Sequence, residues 1–225
     1  MPIEELTTAL ERAKQFFLAQ INQKSPLAEG KKSESLNPLI ESGKSTAASA
    51  DSPDPSQYFQ KSIHIYSHLD ADGLCAAAIL GQTLKRAGIG YQITILRQLE
   101  TEYIAQIREE IILYNRFIIF SDFGTGQFNI LKDQINTEDI LILDHHAPLE
   151  INEKPPDNHV NPYFFGFDGS YEISGAGICY LFAKTMDPNN IDMASFAIIG
   201  ALGDLQNKGE KGEFKGLNLI ILQDA

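Results

Sequence analysis

The sequence predicts an α/β protein: a parallel β-sheet flanked by helices on both faces, preceded by an N-terminal helix and a flexible linker. Three observations lead there. From residue 61 onward, short apolar runs alternate with stretches of helical periodicity, the pattern of strands buried on both faces. Histidine and aspartate stand just past the carboxyl ends of three of those runs. The chain has 225 residues, 43% of them hydrophobic, enough for one α/β domain with a sizeable core.

The elements follow in order. Residues 3–21 carry Leu6, Leu10, Phe17 and Ile21 at roughly helical spacing, so residues 1–22 are read as an amphipathic helix. Residues 23–60 are rich in Ser, Pro, Gly, Lys and Ala, have little to bury, and are expected to form a linker. The remaining 61–225 form the main domain. Its expected strands are Ser62–Ser67, Tyr91–Leu96, Phe117–Ser121 and Asp139–Leu143. Its expected helices are Gly73–Ala87, Glu102–Tyr114, Gly175–Lys184 and Asp192–Leu202, the first with Leu74, Ala77, Ala78 and Leu84 toward the core.

Bulk properties narrow the function. The net charge is −12, and the basic clusters are as small as Lys208 with Lys211. That argues against a protein that grips long nucleic acid with a basic stripe of its own. No apolar run is long enough to span a bilayer, and the N-terminus lacks the basic start and apolar stretch of a secretory signal. A cytoplasmic location without a membrane partner is expected. Cys75 and Cys179 lie in apolar helical patterns and are expected as reduced core residues; no CxxC pair suggests zinc.

The chemistry concentrates at one edge of the expected sheet. The first strand ends in HLDAD, the third in SDFG and the fourth in LDHH. Open α/β sheets bind ligands at that edge. His68, Asp70 and Asp72, then Asp122, then Asp144, His145 and His146 are thus delivered to one place, and Asp204 closes the run AIIGALGD. Along an extended HLDAD loop alternate side chains point the same way, so His68, Asp70 and Asp72 can converge. Imidazole mixed with carboxylate suits divalent ions such as manganese. Two such ions, about 3.5–4 Å apart, can stabilise both the attacking and the leaving oxygen of a phosphoryl displacement. Singly, Asp70 or Asp72 reads as a helix cap; the metal reading rests on the whole set.

Ser174 is a good N-cap for a helix opened by Gly175 and Gly177. Its accessible amides read either as phosphate or site support, or as a close helix-to-sheet contact. His64, inside the first strand, reads as packed rather than catalytic, and His159 carries no assigned role. Tyr163, Phe164, Phe165 and Phe167 read as core in preference to a base-stacking surface.

SHLDADG, SDFG, LDHHAP, ISGAG and GALGD, in this order, resemble the successive motifs of the DHH phosphoesterase superfamily. The likeness covers about residues 61–225 and is greatest to the RecJ-like branch, especially archaeal members, some of which associate with the GINS replication complex. The resemblance implies metal-dependent phosphodiester hydrolysis with two Mn2+ (or Mg2+) ions, and a single-strand-specific exonuclease working from the 5′ end. It implies one metal on His68, Asp70 and Asp122, and a second on Asp72, Asp122, His145 and Asp204, with Asp122 bridging. His146 would contact the scissile phosphate, and Asp144 would orient a histidine. His68 stands at a position where RecJ-type enzymes vary. The DHHA1 domain that usually follows, with its glycine-rich nucleic-acid clamp, has no counterpart here, so weak and poorly processive hydrolysis is expected. Two alternatives remain. One is a phosphoesterase of small substrates: short oligonucleotides, cyclic dinucleotides or pyrophosphate. The other is a non-catalytic GINS-binding scaffold, against which the full ligand set argues.

Overall fold

Strand formation follows the apolar runs. The computed structural model describes residues 2–22, 61–149 and 155–225. Among the described residues, five strands, β1 (Ser62–His68), β2 (Tyr91–Leu96), β3 (Arg116–Ser121), β4 (Ile140–Leu143) and β5 (His159–Val160), pair in the order β2-β1-β3-β4-β5. Every pairing is parallel, with Ser67 opposite Ser121 and Ser121 opposite Leu143. The chain lays β2 on one side of β1 and β3 on the other. That reversal opens a crevice at the carboxyl ends of β1 and β3, where such sheets bind ligands.

The alternation of side chains divides the core in two. Ile63, Ile65, Phe117, Ile119, Leu141 and Leu143 face one layer; Tyr66, Ile118, Phe120, Ile140 and Ile142 face the other. On the first face lie α1 (Pro2–Ile21), α2 (Ala71–Arg86), α5 (Gly175–Met186), α6 (Ala194–Gly203) and α7 (Gly216–Asp224). On the second lie α3 (Thr101–Tyr114) and α4 (Phe128–Gln134). No described helix is long and apolar enough to cross a membrane.

Several expectations change. The helix expected at Gly73 begins at Ala71, so Asp72 sits in its first turn rather than in an extended loop. Leu74 and Ala78 point outward, while Cys75, Ala76, Ile79 and Leu80 join the core. Ala77 and Leu84 are buried as expected, and the buried stripe is wider than the expected one because α2 packs against both the sheet and α5 with α6. The Asp192–Leu202 helix starts at Ala194, after a 3-10 turn from Pro188 to Met193. The two-residue β5, α4 and α7 are additions to the expected elements. The expected linker, 23–60, lies outside the described residues.

The other readings meet the structure as follows. α1 inserts Leu6, Leu10, Ala13, Phe17 and Ile21 into the main core. Phe17 meets Phe117 edge-on at 5.4 Å between ring centres and Phe182 at 6.2 Å. His64 is buried between Glu110 (3.0 Å) and Thr94 (2.8 Å), a packed polar residue. Phe165 and Phe167 pack partly buried against the main core, while Tyr163 and Phe164 are half-buried. Both cysteines are free and buried.

Candidate metal centre

Three loops and two helix ends build the site. β1 ends at His68, whose Nδ1 lies 2.7 Å from Asp70 Oδ2. Asp70 is also the N-cap of α2, its Oδ1 accepting from the Gly73 amide at 2.9 Å. Asp72, in the first turn of α2, is fully buried and accepts from the first amides of α5: Gly175 N at 2.6 Å and Ala176 N at 3.0 Å. Ser174 caps that helix by accepting from Gly177 N at 3.1 Å. The ISGAG turn thus directs its free amides at a carboxylate of the site. Two glycines allow this closeness. A methyl on Gly175 would stand 2.6 Å from Asp122 Oδ1, and one on Gly200 of α6 would collide with Asp72 Oδ1.

Asp122 follows β3 with φ 60°, the left-handed region, which is strained for any residue but glycine. Its own amide donates to Leu143 O at 3.0 Å, which fixes the residue despite the strain. The side chain is buried at the centre of the cluster. His145 presents Nε2 to three carboxylates at once: Asp122 Oδ1 at 3.1 Å, Asp204 Oδ2 at 3.3 Å and Asp72 Oδ2 at 3.6 Å. Its other nitrogen, Nδ1, donates to the Gly169 carbonyl at 2.7 Å and so sets the ring's direction. Asp144, fully buried, accepts from the amides of Thr125, His145 and His146 and from His146 Nδ1 at 2.8 Å. The His146 side chain remains half exposed.

Electrostatics expose a deficit of positive charge. Burial, reinforced by the neighbouring Asp122, lifts Asp72 to a pKa of about 7. Burial also raises Asp204. Burial opposes charge on His145, yet the adjoining Asp122, Asp72 and Asp144 outweigh it and push its pKa up to about 10. Asp122 first, then Asp70, raise His68 to about 9 despite its partial burial. Burial works against a charged Asp144 as well, but the hydrogen bond from His146 and the two imidazoles hold it well below the usual carboxylate range. The close carboxylates thus favour the charged form of both His68 and His145.

Divalent cations fit this arrangement. Both Asp122 oxygens and His145 Nε2 are buried without any hydrogen-bond partner of acceptable geometry, an uncommon and costly state that ligation would relieve. Three triads present ligand atoms within 4.8 Å of one another: His68 with Asp70 and Asp122; Asp72 with His145 and Asp204; and Asp122 with His145 and His146. His68, Asp70, Asp72, Asp122, His145, His146 and Asp204 come together in these triads, Asp144 holds His146, and Ser174, Gly175 and Gly177 form the amino end of α5 that meets Asp72. Sequence reasoning missed Thr125, Asn161, Gly169 and Gln206. Gln206 Nε2 donates to the same Gly169 carbonyl at 2.9 Å. These residues are small or uncharged and sit in loops, so neither charge nor spacing marks them in a lone sequence.

Comparison with known proteins now places the chain. The family model "DHH family, N-terminal domain" matches residues 62–202. An uncharacterized protein of Methanocaldococcus jannaschii is 34% identical over 166 residues, covering 72% of this chain and 36% of the relative. Among solved structures, exonuclease RecJ bound to manganese superposes with a TM-score of 0.55 at 21% identity, covering 73% of this chain and 42% of RecJ. RecJ in complex with Mn2+ from Thermus thermophilus gives 0.52 at 20% identity, covering 73% and 24%. CDC45 from Entamoeba histolytica gives 0.52 at 18% identity, covering 72% and 33%. These structural likenesses concern the fold, and the chain spans less than half the length of each relative. With the family match running from β1 through α6 and the fold shared with RecJ, the chain belongs to the DHH family, whose N-terminal domain it carries.

Proposed function

We propose that this chain is a metal-dependent phosphoester hydrolase that cuts phosphodiester bonds in single-stranded nucleic acid or short oligonucleotides. His68, Asp70 and Asp122 would hold one divalent ion, and Asp72, Asp122, His145 and Asp204 a second, with Asp122 shared. Manganese suits this donor set, as does magnesium; the RecJ structures of similar fold were solved with manganese. Bound ions of this kind supply Lewis acidity, which activates water and offsets charge on the phosphoryl group.

The chain's own groups do the rest. Asp144 holds the His146 ring by Nδ1, leaving its half-exposed outer edge free to donate to a phosphate oxygen as charge develops. The α5 amides and Ser174 keep Asp72 in place rather than gripping phosphate themselves. Attack from the 5′ end and association with GINS belong to the same proposal, on the RecJ-like resemblance. A net charge of −12 favours short substrates over long ones, since little positive field is present to hold a polyanion.

One observation carries the reading: a buried Asp122 whose two oxygens lack hydrogen bonds lies between two sets of ligand-type side chains. The test compares the parent chain with Asp122→Ala and His145→Ala on labelled single-stranded DNA and on dinucleotides with added manganese. Both variants should lose at least about 100-fold in kcat. Equal activity in all three chains would sink the proposal. A chain that binds GINS yet shows no manganese-dependent cleavage would be the scaffold instead.

A further inference from the structure

Behind His146 lies a buried polar network that the metal centre does not use. Thr125 is its hub. The Thr125 amide donates to Asp144 Oδ2 at 2.9 Å, and Asp144 Oδ1 holds the His146 ring at 2.8 Å. The Thr125 hydroxyl accepts from Asn161 Nδ2 at 3.0 Å, and the same Nδ2 donates to the His146 carbonyl at 2.9 Å. His159 Nε2 lies 2.9 Å from Thr125 Oγ1. Thr125, Asn161 and His159 are all deeply buried, at 4%, 0% and 3% exposure.

Each polar group of this network finds a partner within it. Thr125 Oγ1 accepts from Asn161 and meets His159 Nε2, which donates or accepts according to the ring's tautomer. Burial lowers the His159 pKa to about 4, which favours the neutral ring. Asn161 Oδ1 is committed elsewhere, accepting from Tyr163 N at 3.0 Å, which fixes the amide's orientation. One end clamps the backbone of His146 and the other clamps the carboxylate that holds its ring.

We propose that Thr125, locked by Asn161 and His159, is a positioning residue for His146. The proposal rests on the reading that His146 addresses the scissile phosphate. Buried partners of this kind keep a working side chain within a few tenths of an ångström of its productive place, and their loss typically costs about 10–100-fold.

The test is a double-mutant cycle on the whole chain with manganese and a labelled short single strand. Thr125→Val keeps the shape and removes the hydroxyl; it should lower kcat about 10–100-fold while KM and manganese affinity stay within about threefold. Thr125→Ser should restore kcat to within about threefold. In a His146→Ala background, Thr125→Val should add no more than about a twofold further loss, because its target is gone. An equal loss in both backgrounds, or parent-like kcat in folded Thr125→Val, overturns the proposal. Should Thr125→Val not fold, the same cycle with His159→Gln carries the same two outcomes, with an expected loss of about three- to tenfold. A parent without manganese-dependent hydrolysis overturns the phosphoesterase reading instead. NMR of the His146 ring in the metal-free chain, at a pH where it holds one charge state, then decides the positioning role: an Nδ1 proton hydrogen-bonded to Asp144 in the parent and weakened in Thr125→Val supports it, and an unchanged ring rejects it.

Discussion

His159 occupies β5 with Nε2 on the Thr125 hydroxyl and its ring against Phe128 and Phe164. Burial drives its pKa down from 6.5 to about 4. In the window between those values the unfolded chain binds a proton that the folded chain refuses, so stability falls on acidification. The contribution is whole above about pH 6.5 and is lost as the pH drops toward 4. Between about pH 7 and about pH 5 the parent should therefore lose about 2 kcal/mol more than His159→Gln, which has no proton to take up. Urea titrations at the two pH values measure this, and parallel losses would show that the ring is not held neutral. The sequence marks the charged ligands because acids and imidazoles at strand ends are unusual. It cannot mark His159, Thr125 or Asn161, whose roles come from contacts between loops 34 and 36 residues apart.

β3 and β4 read correctly from sequence because burial on both faces makes a strand apolar throughout. α2 read in part: Ala77 and Leu84 are buried as expected, but three packing partners widen its buried stripe, and Leu74 lies outside it. β5 was illegible for a simpler reason, since two residues carry no period. The amino end of α5 shows what such an element contributes. Its amides hold Asp72 while Gly175 lets the turn touch Asp122. Gly175→Ala should thus displace the Asp122 carboxylate and weaken manganese binding by about tenfold or more. Calorimetric titration reads this directly; unchanged affinity would mean that the turn yields instead. Ser174→Ala removes only the cap and should cost about 1 kcal/mol in thermal or urea unfolding.

Taken as a whole, the molecule carries its excess of acid partly in one buried cluster, where ions would act as structural counter-charge. Manganese at about 100 times its dissociation constant should stabilise the parent by about 2.7 kcal/mol. A chelator should reverse the effect, and Asp122→Ala should not show it; scanning calorimetry in all three conditions is the check. α1 has a consequence of a different kind. It reaches the main core through Leu6, Leu10, Ala13, Phe17 and Ile21, ties Lys14 to the Thr185 carbonyl, and pairs Arg12 with Asp157. A protease cut between residues 23 and 60 would sever the chain without separating its parts, and the nicked protein should still migrate as one species. A chain begun at residue 61 should aggregate through the trough that Phe17 vacates, and a synthetic peptide of the first 22 residues should rescue it in trans, as a split protein is restored by its missing half.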